Sequence, residues 1–201
     1  MRLISILFTL FFIIAGQNSN AQNFVAGFSV GLAATQVDGD GYGGFDKAGP
    51  IIGIWVGRSF QDNWFGRFEL RYAQKGSFAK ESKTATTYYR MRLHYFEIPV
   101  FVGYRFVNGF QALGGVSIGY LGKAQEMTEL GSFPDEDIDS FNKFEFAGIA
   151  GVEYNYSEKW AFGAFFTYSI LPIRAHTGDI TYRLNRGQYN QVLELVARYK
   201  L

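Results

Sequence analysis

Aromatic residues bracket a three-residue turn at three places: Phe60-Gln61-Asp62-Asn63-Trp64, Phe106-Val107-Asn108-Gly109-Phe110 and Tyr156-Ser157-Glu158-Lys159-Trp160. The turns recur about every fifty residues, and the stretches on either side carry apolar residues at alternate positions. A period of two is the period of a strand, with one face apolar and the other polar. Paired rings at the strand ends are what a membrane-spanning barrel sets at one membrane interface. Phe60, Trp64, Phe106, Phe110, Tyr156 and Trp160 are therefore expected to form an aromatic girdle.

Composition supports strands over helices as the spanning element. The chain has 201 residues, 18% of them aromatic, and 24 glycines. Its mean hydropathy is -0.03, too polar for a bundle of apolar helices. Alternation explains both values, because a strand with one lipid-facing side averages near zero while still covering a hydrocarbon band.

Residues 1–21 read as an export signal. Met1-Arg2 precedes a thirteen-residue, largely apolar run from Leu3 to Ala15, and Ser19 and Ala21 supply small residues for cleavage. The run is too short to span a bilayer. The expected mature domain is 22–201. Without cysteine there is no thiol chemistry, no disulfide and no acylated cysteine anchor. Loss of Arg2 leaves 18 basic against 18 acidic residues, so no basic field points to nucleic acid.

With the three turns as fixed points, the pattern predicts an all-β, eight-stranded antiparallel up-and-down barrel, with strands near 23–37, 49–60, 64–76, 88–106, 110–122, 143–156, 160–171 and 188–201. Three connections are tight. Four are long, near 38–48, 77–87, 123–142 and 172–187, an asymmetry typical of outer-membrane barrels. Lipid-side positions are mostly even-numbered, as in Phe68, Leu70 and Tyr72 or Phe162, Phe166 and Tyr168. The last strand reverses this, with Leu193, Leu195, Ala197, Tyr199 and Leu201 on the lipid side.

An antiparallel register set by each tight turn predicts the inward pairs Gly57–Arg67, Gly53–Arg71, Gly119–Glu97, Gly115–Phe101, Gly163–Glu153 and Gly151–Phe165. Each sets a glycine opposite a long or bulky side chain, which makes room in a narrow, filled interior. The fourth strand has a phase conflict. Tyr89, Met91, Leu93 and Tyr95 alternate on odd positions, whereas Phe96, Ile98, Val100, Val102 and Tyr104 alternate on even ones. One extra residue near Tyr95-Phe96 would restore a single lipid face, and Pro99 predicts a bulge or a missing ladder bond.

The segments Phe68-Glu69-Leu70-Arg71-Tyr72-Ala73-Gln74-Lys75-Gly76 and Tyr95-Phe96-Glu97-Ile98-Pro99-Val100 resemble the outer-membrane β-barrel family that includes porin-like and PorT-like proteins of Gram-negative bacteria. In that family a Y-x-QKG strand is followed by an L-E-I-P strand, and Phe96 stands here where leucine is common. The resemblance implies an eight-stranded barrel inserted by the barrel-assembly machinery, located in the outer membrane, with no catalytic residues to carry over. Some PorT-like members are associated with secretion.

The inward charges Arg67, Glu69, Arg71, Glu97, Arg105, Glu145, Glu153, Glu194 and Arg198 nearly balance in sign. Groups buried in a small barrel must pair, so they are expected to form an ion-pair network that fills the lumen, with Glu97 beside Arg71. Asp38-Gly39-Asp40-Gly41-Tyr42-Gly43-Gly44-Phe45-Asp46 has the look of a calcium loop but lacks the glutamate at its twelfth position, so a surface loop is expected and no metal site or cofactor is assigned. The third long loop is acidic (Glu126, Glu129, Asp135, Glu136, Asp137, Asp139) and the fourth basic (Arg174, His176, Arg183, Arg186). Solvated loops are expected, with pairing over the mouth, or cation and lipopolysaccharide-phosphate binding, as alternatives.

Only His94 and His176 are available for acid–base work, and His176 with Asp179 is the single local pair of that kind. The pattern thus favours a non-enzymatic barrel with a filled lumen and a structural or recognition role through its external loops, in contact with outer-membrane lipid and lipopolysaccharide. A small-solute channel, a secretion-associated barrel, an outer-leaflet hydrolase or acyltransferase, and a soluble lipocalin-like barrel are the alternatives.

Overall fold

The computed structural model describes residues 24–79, 88–128, 131–132, 141–175 and 187–201. Eight long strands alternate in direction: β1 (Phe24–Asp38), β2 (Lys47–Ser59), β3 (Trp64–Lys75), β5 (Tyr89–Arg105), β6 (Phe110–Thr128), β8 (Phe144–Asn155), β9 (Trp160–Ser169) and β10 (Tyr189–Lys200). Two-residue strands β4 (Phe78–Ala79) and β7 (Gly131–Ser132) extend the ladder on β5 and β6. Every neighbouring pair is antiparallel. β1 pairs with both β2 and β10, and β5 with β6, so the sheet closes on itself without a free edge.

The tight turns form where the aromatic brackets stand. Phe106 N–H donates to Phe110 O at 2.8 Å, and Asn108 and Gly109 both adopt positive φ, which asparagine and glycine tolerate best. Ser157 Oγ accepts from the backbone N–H of Trp160 at 3.1 Å and so pins the third turn. These turns set the registers, and all six glycine pairs predicted from them are present.

Room for large inward groups comes from these glycines, though not always for the residue directly opposite. A methyl on Gly163 would lie 2.5 Å from Phe165 and one on Gly151 2.4 Å from the same ring, so both glycines clear space for Phe165. At Gly57 the nearest atom is instead the carbonyl oxygen of Gly66 at 3.2 Å, and Arg67 is not the constraint. A methyl on Gly115 would come within 2.1 Å of the Val100 carbonyl oxygen, which is backbone and cannot swing away. Gly115→Ala is expected to destabilise the barrel by about 1–3 kcal/mol in urea unfolding of the refolded protein.

Outward positions are apolar and exposed, including Phe68, Leu70, Phe146, Phe162 and Phe166, while Arg67, Glu69, Arg71, Glu145, Glu153 and Thr167 are buried inside. β10 carries the reversed parity, with Leu193 and Leu195 outward and Glu194 and Arg198 inward. A soluble barrel with its rings packed inside is therefore overturned by the orientation of Phe68, Phe146 and Phe166.

The fourth long strand corrects the sequence reading. β5 keeps one parity throughout: Tyr89, Met91, Leu93 and Tyr95 are buried inside with Glu97 and Phe101, and Arg90, Arg92 and His94 face outward. The extra residue sits on the partner strand, where His94 pairs with Lys123 and Tyr95 with Leu121, leaving Gly122 unpaired as the bulge. β6 changes parity there, burying Leu121 and then Ala124 and Glu126. The upper interior thus wants apolar groups, which reach it from β5. Near Pro99 the β3–β5 pairing lapses between Phe68–Val100 and Arg71–Glu97, as expected beside a residue with no N–H to donate.

Candidate functional site

In the lower and middle interior Phe65, Phe101 and Phe165 join Ala33, Ile51, Ala73, Leu113, Ile149, Val192 and Val196 in an apolar cluster. It interleaves with charged residues: on β3 Arg67, Glu69 and Arg71 stand between Phe65 and Ala73, and on β8 Glu153 is nearer the turn than Ile149. Phe101 and Phe165 have ring centroids 5.8 Å apart. Beside this cluster, toward the turns, a cavity of about 780 Å³ is lined by Trp55, Arg58, Phe65, Arg67, Arg105 and Lys200 among others.

Through the same interior runs a charged layer supplied by four strands, β3, β5, β8 and β10. Arg67 forks onto Glu153, with Nη1–Oε2 at 2.9 Å and Nη2–Oε1 at 2.7 Å. Arg198 joins the same carboxylate through Nη1 and reaches Glu69 through Nε at 2.9 Å. Arg71 forks onto Glu194 at 2.7 and 2.9 Å and donates from Nε to Glu97 at 2.8 Å. Lys75 bridges Glu97 at 2.5 Å and Glu145 at 2.8 Å.

Hydroxyl and amide donors complete the layer. Thr167 Oγ1 donates to Glu194 at 2.7 Å, and Ser169 Oγ and Asn190 Nδ2 donate to Glu145 at 2.5 and 3.0 Å. Four cations (Arg67, Arg71, Lys75, Arg198) face five carboxylates (Glu69, Glu97, Glu145, Glu153, Glu194), so these neutral donors serve the surplus acid. Burial of charge is tolerated where it is paired and hydrogen-bonded, and of the ten carboxylate oxygens in the layer Glu69 Oε2 alone is without a hydrogen-bond partner among the described residues.

Of the nine inward charges named from sequence, eight meet in this layer. Arg105 stands apart near the turns, half-buried, with Nη1 donating to Ser59 Oγ at 2.8 Å and its guanidinium 4.5 Å from the Phe65 ring centroid. Lys75 is the member that sequence reasoning missed. Its odd number on β3 continues Arg67, Glu69, Arg71 and Ala73, and that parity was the available signal.

At the long-loop end the interior closes again. Val37, Tyr89, Met91, Leu93, Tyr95, Leu121, Ala124, Phe141 and Ile173 form a second apolar cluster. Over it lies Arg174, stacked 4.2 Å above the Phe141 ring centroid, forked onto Glu126 with both bonds at 2.9 Å, and bonded through Nε to Gln188 at 3.0 Å. Burial works against the Arg174 charge, but the Glu126 bonds outweigh it and hold its pKa above the usual value. Tyr89 donates to Glu126 at 2.5 Å and stacks on Tyr42 from the first long connection, centroids 4.7 Å apart.

Solvated loops are thus the wrong expectation at Glu126 and Arg174, because bidentate pairing over an aromatic ring offsets their loss of water. Glu129, Asp135, Glu136, Asp137, Asp139, His176, Asp179, Arg183 and Arg186 lie outside the described residues, as does the 1–21 export segment. In the Asp38–Asp46 segment, Asp40 Oδ1 accepts from Tyr42 N–H at 2.8 Å, and burial pushes the Asp40 carboxyl up. Among the described residues no three acidic, histidine or cysteine side chains gather closely enough to hold a metal ion.

On the outer surface Phe60, Trp64, Phe106, Phe110, Tyr156 and Trp160 are all exposed at the tight-turn end. Further rings join them: Tyr104 lies 5.0 Å from Trp64, Tyr154 4.9 Å from Phe110 and Tyr199 5.0 Å from Trp160. A second belt, unread from sequence, pairs Tyr72 with Phe96, Tyr120 with Phe144 and Tyr168 with Tyr189 toward the other end.

No curated protein matches the chain in sequence. Among solved structures it is similar to Ail, the attachment invasion locus protein of Yersinia pestis, solved in complex with the heparin analogue sucrose octasulfate, at 17% identity over 89% of this chain and 99% of that one, with a TM-score of 0.51. Neisserial surface protein A is similar at 13% identity over 89% and 96% of the two chains, TM-score 0.49. OprG from Pseudomonas aeruginosa is similar at 14% identity over 89% and 94%, TM-score 0.39. A family model described as the outer membrane protein beta-barrel domain matches residues 5–192. The chain belongs to that family, a transmembrane β-barrel of the Gram-negative outer membrane.

Proposed function

We propose that this barrel does not conduct and acts through its external long loops, as a structural or recognition protein of the outer membrane. The observation that carries the reading is double closure: an ion-paired layer crosses the lumen, and an apolar plug latched by Arg174 and Glu126 lies above it. Eight strands leave an interior just wide enough for side chains, and here they occupy it.

A catalytic role is not part of the reading. His94 faces outward, its Nδ1 at 2.7 Å from the Tyr72 hydroxyl, with no described carboxylate or serine poised on it. Residues 1–21 serve as an export signal and the barrel-assembly machinery as the inserting partner, with lipid and lipopolysaccharide around the finished barrel. Solute diffusion is the rival reading, and the cavity at the tight-turn end favours it only as far as the charged layer.

Planar-bilayer recording separates the two. The refolded protein is expected to give rare, small openings at most, whereas steady, large single-channel currents would establish a pore. The double variant Arg174→Ala/Glu126→Ala is expected to leave the current unchanged, because the ion-paired layer still blocks the path.

A further inference from the structure

The residues that β5 turns outward above the second aromatic belt form a basic face. Arg90, Arg92 and His94 on β5 pair in register with Met127, Gln125 and Lys123 on β6, so their side chains share one outer surface. Gln74 on β3 pairs with His94 on the other side, and its Oε1 accepts from Lys47 Nζ at 2.8 Å, bringing in another cation. Among the described residues none of Arg90, Arg92 and Lys123 has a carboxylate at ion-pair distance, and Arg90 Nε is without a hydrogen-bond partner. The carboxylate nearest in sequence, Glu126, points the other way into the lumen.

Height decides what this face meets. Phe96 is eight residues and His94 ten residues along β5 from Tyr104 of the lower belt. At roughly 3.3 Å per residue and a tilt of about 40°, Phe96 stands about 20 Å and His94 about 25 Å above that belt. The apolar band of such barrels is about 25 Å tall. The basic face therefore lies at the plane where acyl chains end and headgroups begin, on the long-loop side. An arginine there would be costly within hydrocarbon and stable beside phosphate.

We infer that Arg90, Arg92, His94 and Lys123 form a docking face for the phosphorylated headgroup of an outer-leaflet lipid. The inference rests on the membrane-barrel reading with its long loops outward, and it is independent of whether the lumen conducts. Guanidinium groups on adjacent rungs offer forked donors to phosphate oxygens, Lys123 adds a point charge, and Gln74 and Gln125 flank them with neutral hydrogen-bonding groups. The rings of Tyr72 and Phe96 below, 6.0 Å apart and tilted by 60°, give the upper acyl segments an apolar contact surface.

The test compares thermal unfolding of the refolded protein, followed by heat-modifiable gel migration, in bilayer discs of phosphatidylcholine containing bis-phosphorylated lipid A or its dephosphorylated form. The phosphorylated lipid is expected to raise the midpoint by several degrees over the dephosphorylated one, with the rise shrinking at high salt. Arg92→Gln/Lys123→Gln is expected to lose most of that rise while still folding and migrating as a barrel. Arg58→Gln/Lys200→Gln, at the opposite end, is expected to keep it. An equal rise in the Arg92→Gln/Lys123→Gln variant, or no difference between the two lipids for the wild type, overturns the inference. Loss of heat-modifiable migration in the wild type would instead strike at the barrel reading itself.

Discussion

Arg71→Met is expected to weaken the barrel by about 3–5 kcal/mol, the range found when one partner of a buried ion pair is removed. Arg71 is almost fully buried and spends all three of its donor groups on two carboxylates, forking onto Glu194 and reaching Glu97 through Nε. After the substitution Glu97 keeps Lys75 at 2.5 Å, but Glu194 keeps only the Thr167 hydroxyl at 2.7 Å. The damage therefore concentrates on Glu194, a carboxylate then held away from water without a cation. Methionine fills much of the arginine stem's volume, so cavity formation contributes little to the loss.

Urea unfolding of the refolded protein in lipid vesicles, followed by tryptophan fluorescence, gives the size of the effect. Adding Glu194→Gln to Arg71→Met is expected to recover part of the loss, because the stranded charge is gone and an amide still accepts from Thr167. Non-additivity of the two changes measures the coupling between them. Arg58→Met, on an exposed side chain, is expected to cost less than about 0.5 kcal/mol. A loss below 1 kcal/mol for Arg71→Met would mean that water reaches the layer and screens it, and the closed-lumen reading would fall with it.

How far the fold could be read from the chain depends on where a local period decides the matter. In β3, β8 and β9 most inward positions are charged or small and most outward ones large and apolar, with Phe65, Ile149 and Phe165 as the inward exceptions, so the faces are legible, and three tight turns fix six cross-strand pairs by arithmetic. The upper half of β5 offers no such contrast. Tyr89, Met91, Leu93 and Tyr95 look the same whether they face acyl chains or an apolar plug, and an arginine on the other parity reads as a lumen charge. The bulge that resolves the conflict is at Gly122 on the neighbouring strand, where β5 itself carries no trace of it.

Most of the charged layer was legible because an inward charge in a narrow barrel has no choice but to pair. Its partners were less so. Arg67 with Glu153 and Arg71 with Glu194 cross the lumen between strands that share no ladder, and no turn register reaches them. The Arg174–Glu126 latch is further still from local signal: it joins the upper end of β6 to the connection after β9, 48 residues apart, over the ring of Phe141. Loop charge alone leaves solvation and pairing equally available.

Val116→Arg carries the second large effect and bears on the medium around the barrel. Val116 is exposed on β6, flanked in register by Val100 and Gly148, and it lies between Phe110 of the lower belt and Tyr120 of the upper one. In a bilayer that position is near the middle of the hydrocarbon, where an arginine costs about 2–4 kcal/mol. On a water-facing strand the same change costs no more than about 0.5 kcal/mol. Val107→Arg, on the second tight turn beyond the lower belt, serves as the internal reference and is expected to be neutral. Unfolding free energies in vesicles for the two variants should therefore differ by at least about 1.5 kcal/mol, the least gap those ranges allow. A smaller difference would remove the lipid contact from Val116, and with it the assignment of the two aromatic belts to the membrane's edges.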